Sequence, residues 1–113
     1  MEVIMITINI KKDFSDMPGG RYENEGPYSG QEFRNKILLP KYNEAEQTNQ
    51  KLQIDFDDCY GFATSFLEEA FGGLVREHHK KGVLSKIEII SNDDETIPGL
   101  IEKYVKAAEK EEK

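Results

Sequence analysis

Hydrophobic and polar positions alternate at three places along the chain. Ile4, Ile6, Ile8 and Ile10 share one parity and Thr7 and Asn9 the other, with Val3 and Met5 adding apolar weight. That is the period of a strand with one buried face, and Lys11, Lys12 and Asp13 end it. Leu52, Ile54 and Phe56 alternate with Gln53, Asp55 and Asp57, and Lys86 to Ile90 carries Ile87, Ile89 and Ile90; both read as strands. Between them the period changes. Phe66, Leu67, Ala70, Phe71, Leu74 and Val75 fall on one helical face. Ser65 and Glu68 have the spacing of a capping box, which predicts Ser65 as the N-cap, and Lys80-Lys81-Gly82 closes this helix.

Two more helices follow from the same logic. Ser29 and Glu32 form another capping box ahead of Phe33, Ile37 and Leu38. Pro40 is predicted to stop that helix, because the residue before a proline avoids the helical region; Lys41 to Gln50 either extends the helical region or forms a loop. Pro98 suits the first turn of a last helix with Leu100, Ile101, Tyr104, Val105 and Ala108 on its stripe, and 109–113 reads as a frayed end. Ser15 to Gly30 is turn-rich, and within it Arg21 and Tyr22 suit a short strand pairing back on the first. Strands separated by helices predict one α/β domain over 1–113, with a mixed, mostly parallel four-stranded sheet and about three helices.

Composition narrows the partners. The chain has 113 residues and a net charge of −7, with pI ≈ 4.9. Such a surface repels phosphate backbones and anionic membranes, so neither nucleic acid nor membrane is an expected partner. A basic protein surface is compatible with it. Cys59 is the one cysteine, so no internal disulfide forms; a reducing, cytoplasmic location is expected. The N-terminal apolar run lacks the basic flank and cleavage site of a signal peptide and reads as a strand.

Several residues invite a chemical reading. Gly19-Gly20-Arg21 and Gly26-Pro27 lead into the helix that Ser29 opens, and Arg21, Ser29 and Arg34 there suit a small anion or nucleotide. No Walker or GxGxxG pattern supports it, and a long turn with a helix cap explains the segment more simply. Asp55, Asp57 and Asp58 at a strand end suit a divalent cation and a hydrolase, yet an acidic solvated turn accounts for them equally and nothing completes the motif. His78 and His79 are adjacent, hence on different sides of a helix, and read as exposed residues favourable to its C-terminal dipole. Gly72-Gly73 interrupts the apolar helix at about 1 kcal/mol per residue; it marks either a close approach or a bend. Thr64 and Ser65 place hydroxyls where the turn meets the helix, and a phosphate there alters a docking surface. No catalytic set or cofactor motif emerges, so the expectation is a binding module without a cofactor, not an enzyme.

The run from Ile54 to Val75, IDFDDCYGFATSFLEEAFGGLV, resembles a STAS-like family of unknown function found in bacteria, archaea and phages (the DUF4325 group). Gly20-Arg21, Ser29-Gly30 to Phe33-Arg34, and Leu39-Pro40 fit the same family. The resemblance implies the fold of anti-sigma-factor antagonists, a sheet with helices mainly on one face. It also implies a regulatory protein partner, with a histidine-kinase-type ATPase the first to test. Thr64 falls where the switch serine of those domains lies and Ser65 follows it, making both candidate phosphorylation sites; Ala63 replaces the usual aspartate, so the docking surface carries over more than the switch. The docking residues it suggests are Asp58, Tyr60, Thr64, Ser65, Glu68, Glu69, Gly72 and Gly73.

Overall fold

The structure, a computed structural model, describes residues 5–112. Val3 and Ile4 of the predicted first strand lie outside them. Three strands, β1 (Ile6–Asn9), β2 (Leu52–Asp55) and β3 (Ile87–Ile90), form a parallel sheet in the order β1-β2-β3. The register aligns Ile6 with Leu52 and Ile87, and Thr7 with Gln53 and Glu88. The alternation therefore sorts whole rows. Ile6, Ile8, Leu52, Ile54 and Ile87 are buried under helices, each worth about 1.5–3 kcal/mol. Thr7 and Glu88 on the opposite face are exposed, and Gln53 Nε2 donates to Glu88 Oε1 at 3.0 Å. Parallel sheets are usually covered on both faces; the polar row matches a face left open.

The expected fourth strand is absent among the described residues. Arg21 and Tyr22 form no strand and do not pair with β1. The Gly19 N–H donates to the Tyr28 carbonyl at 2.8 Å, and the Gly30 and Gln31 N–H groups donate to Gly20 and Arg21 at 2.8 and 3.0 Å. The segment closes on itself as a loop, so the sheet is three-stranded and wholly parallel.

After α1 (Ile10–Asp13) and a short 3-10 turn (Glu23–Glu25), helix α2 runs over 30–47. Ser29 caps it, accepting from the Glu32 N–H at 3.0 Å, while the Glu32 carboxylate reaches one residue further back, to the Tyr28 N–H at 2.9 Å. Pro40 does not end this helix. A π-helical turn, Arg34–Leu38, precedes it, with the Leu39 N–H donating to the Arg34 carbonyl. The shifted register places Pro40 at the start of the next α-helical stretch, Leu39–Gln47, where a missing N–H and a fixed φ are tolerated.

Helix α3 runs over 64–76 and is the central helix of the layer, in contact with both α2 and the last helix, Ile97–Glu111. Its N-cap is Ala63, which offers no side-chain cap; Ser65 lies inside the first turn. The predicted Ser65 capping box thus does not form, and the N-cap lies two residues earlier because Thr64 already has helical geometry. Past Arg76 the chain ends the helix earlier than Gly82. The His79 N–H donates to Val75 and the Lys80 N–H to Leu74, at 3.0 and 3.1 Å. His79, at φ 55, takes the left-handed position that glycine commonly holds in such caps. Helices α4 (Val83–Lys86) and α5 (Ile97–Glu111) complete the fold, and α5 carries the predicted stripe of Ile101, Val105 and Ala108 into the core. No helix among the described residues is long and apolar enough to cross a membrane.

Candidate functional site

The connections that leave the carboxyl ends of the three strands are tied into one surface. The Tyr60 N–H donates to the Asp16 carbonyl at 2.8 Å, joining the loop after β2 to the loop after α1. Asp57 accepts from the Asn92 N–H, the Asn92 side-chain amide and the Asp93 N–H at 2.7, 2.9 and 2.9 Å, and Asp93 accepts from the Asp58 N–H at 2.8 Å. The loop after β3 is therefore clamped to the loop after β2. Hydrogen bonds from Asp93 and Asn92 hold the half-buried Asp57 carboxyl below its ordinary pKa. Asp58 adopts φ 68 to make this turn.

This surface concentrates exposed apolar bulk. Four large hydrophobic side chains are exposed among the described residues: Met17, Tyr22, Tyr28 and Tyr60. All four lie on the connections after β1 and β2. Tyr60 is 82% exposed at the turn that leads into α3. Thr64 is exposed at the first position of α3, and Ser65 is half-buried beside it. Behind them Phe62 is half-buried, its ring 5.2 Å from Phe56 and 5.7 Å from Phe66, which anchors the turn to the core. Burial first, then the charges of Asp16, Asp55 and Asp58, pushes the Cys59 thiol up to about 11. It stays protonated at neutral pH and is no nucleophile.

The other predicted residues are engaged inside the protein. Asp55 accepts from the Asp57 N–H at 2.9 Å, and the described residues hold no group of three or more His, Cys, Asp or Glu disposed to bind a metal. Arg34 is 4% exposed and donates to both the carbonyl and a carboxylate oxygen of Glu69 at 2.7 Å. Arg21 pairs with Glu68 and, at 3.5 Å, with Glu69; Arg76 pairs with the same two carboxylates, at 3.4 Å from Glu69. Ser29 is fully buried and spent on its cap. Of the three residues expected to cradle an anion, Arg21 and Arg34 thus pin the Gly-rich loop and α2 to the second π-helical turn, Glu68–Gly72, and Ser29 caps α2.

The mid-helix glycines make room for this network. A Cβ on Gly73 would come within 2.9 Å of the Arg34 guanidinium carbon, and one on Gly72 within 2.8 Å of a Glu68 oxygen and 2.9 Å of Arg76 Nη1. Of the suggested docking residues, Glu69, Gly72 and Gly73 therefore face the interior, Glu68 is half-buried, and Asp58, Tyr60 and Thr64 stand at the surface. Sequence reasoning passes over Arg76, Met17, Asn92 and Asp93. Met17 alone carries a readable signal, a large apolar residue stranded in a polar, turn-rich segment.

The network and His78 set an acid limit. Burial opposes the Glu68 charge, but hydrogen bonds from Arg76 and Arg21 outweigh it and lower the pKa below 4.5. Its stabilisation is present above the unfolded value and lost as pH falls through the folded one. His78 is half-buried, not exposed as its position predicts. Burial, then Arg34, lowers its pKa below 6.5, so the unfolded chain takes up a proton that the folded one refuses. Both act in the same direction. Thermal unfolding followed from neutral to acid pH is expected to show the midpoint falling first below about pH 6.5 and again through the carboxylate range. His78→Gln should remove the first step and Glu68→Gln should flatten the second; a midpoint constant down to pH 4 refutes this account.

A family model described as a STAS-like domain of unknown function (DUF4325) matches residues 29–96. The chain belongs to this family. The match spans α2, β2, α3, α4 and β3, with the loops that follow β2 and β3. No curated protein and no solved structure matches the chain.

Proposed function

We propose that this STAS-like domain is a regulatory protein-interaction module that docks a partner through the Tyr60–Ser65 turn and the loops clamped to it. The observation that carries this reading is the placement of the exposed Met17, Tyr22, Tyr28 and Tyr60 on the connections at one end of the sheet. Aromatic residues and methionine are enriched in interface cores. In open α/β sheets, binding also concentrates beyond the carboxyl ends of the strands. Asp16, Asp58, Asp93 and Asp94 ring the same end, so the partner presents a basic surface. The family resemblance makes a histidine-kinase-type ATPase the first candidate. Thr64 stands exposed at the helix start, where an added phosphate would lie beside the docked partner. The anion and hydrolase readings lose support because Arg21, Ser29, Arg34, Asp55 and Asp57 are already bonded within the chain.

Binding of the purified ATPase to the full chain, followed by calorimetry, tests the proposal. Tyr60→Ala is expected to leave the unfolding midpoint nearly unchanged, since the ring is solvent-exposed, yet to weaken binding by about 2 kcal/mol or more. Binding that ignores Tyr60→Ala and Met17→Ala refutes this docking surface. Failure to capture any partner, with turnover of a small substrate instead, refutes the module reading.

A further inference from the structure

A cleft of about 640 Å³ is lined by Thr7, Lys12, Asp13, Lys36, Ile37, Pro40 and Lys41. Its position follows from the sheet. Thr7 points to the open face, whereas the residues of α2 belong to the helical layer on the other face. One cleft touches both only by wrapping around the outer edge of β1, and among the described residues β1 pairs with β2 alone.

The charge of this cleft opposes that of the chain. It gathers three lysines and one aspartate in a protein of net charge −7. Lys36 and Lys41 are themselves exposed and pair only within α2, with half-buried Glu32 at 3.2 Å and exposed Glu44 at 3.8 Å, and pairs of exposed lysines are weak and screened. Lys12 has no ion pair among the described residues. Half-buried Ile37 and exposed Pro40 give the cleft an apolar wall.

We infer that this edge receives an acidic segment of a partner protein, laid in extended conformation beside β1. Three observations select that occupant. The lysines do not converge on one point: Lys36 and Lys41 stand five residues apart on α2, about one helical turn of roughly 5.4 Å or more along its axis. Alternate side chains of an extended strand are about 6.6 Å apart, so carboxylates at every second residue match them, whereas a compact phosphate does not. The free edge of β1 offers backbone groups to a new strand. Asp13 accepts from the Asn9 N–H at 2.8 Å and closes the carboxyl end of that edge, which leaves Ile6 to Ile8 for pairing. A second copy of this chain is a poor occupant, because its own acidic loops are clamped into turns rather than extended.

The test titrates the full chain with a short peptide alternating glutamate and valine, read by backbone amide NMR. Shifts confined to 6–8, 12–13 and 36–41 are expected, with affinity falling as salt rises. Lys12→Glu combined with Lys41→Glu should weaken binding about tenfold or more and leave the unfolding midpoint unchanged. Four results overturn the inference. They are no shifts at saturating peptide, equal binding of a peptide with lysine in place of glutamate, the same shifts from inorganic phosphate or succinate alone, and concentration-dependent shifts at these residues without peptide. The third result assigns the cleft to a small anion and the fourth to a second copy.

Discussion

Gly30→Ala is expected to cost about 3 kcal/mol of folding stability, a large share of what a domain this size possesses. Gly30 opens α2 directly after its cap, and its backbone lies against that of α3. An added Cβ would fall inside contact with the Phe66 carbonyl oxygen, and at 3.1 Å from both the carbonyl carbon and the Cα of Phe66. The obstacle is backbone, so no rotamer relieves it. The two helices would have to separate, loosening Phe33 against Phe66, whose rings lie 5.6 Å apart. Alanine's better helix propensity returns at most about 1 kcal/mol. Gly99 in α5 provides the control, since a Cβ there meets nothing within 4 Å; Gly99→Ala should stabilise by up to about 1 kcal/mol. Urea unfolding of both variants gives the comparison. Equal effects of the two substitutions would show that α2 and α3 do not approach as described.

The Gly30 contact shows which parts of this fold are legible from residue order. The strands are legible because alternation is local and the register preserves it: every predicted inward isoleucine of β1 and β2 among the described residues is buried. The helix boundaries are legible only where one rule acts alone. Ser29 caps as expected, but Pro40 is read as a stop from the rule for the residue before it, whereas Leu39 keeps helical angles and the π-helical turn at Arg34–Leu38 leads the helix past the missing N–H. Ser65 yields to Ala63 because a capping box describes spacing and does not show where helical geometry begins. The candidate site divides in the same way. Tyr60 lies in a local turn and Thr64 opens the helix that follows it, and both are exposed. Arg21, Arg34, Glu68, Glu69 and Arg76 come from three separate segments, and their mutual pairing belongs to the packed state. Pro40 and Gly72-Gly73 mark that state indirectly, as residues that break a local rule and are accommodated by tertiary contacts.

Glu69→Ala should be the most destabilising single substitution in the charge network, at about 3–5 kcal/mol. Glu69 is 4% exposed and is the common partner of Arg34, Arg21 and Arg76. Its removal strands the Arg34 guanidinium, itself 4% exposed, without a countercharge. The penalty is that of an uncompensated buried cation, not the net worth of the pair, and a double substitution separates the two. Replacing Arg34 and Glu69 together by methionine removes both charges at similar volume, so it should restore most of the loss. Gly73 supplies an independent reading of the same contact. Gly73→Ala alone should destabilise, because its Cβ would come within 2.9 Å of the Arg34 guanidinium carbon and 3.1 Å of its Cδ. With methionine at position 34 the rigid guanidinium is gone and a flexible chain adapts, so the same Gly73→Ala should become neutral or stabilising through helix propensity. A change of sign between the two backgrounds is the coupling expected of residues that share one packed contact. If Gly73→Ala costs the same in both, Arg34 does not occupy the groove that the two glycines leave open.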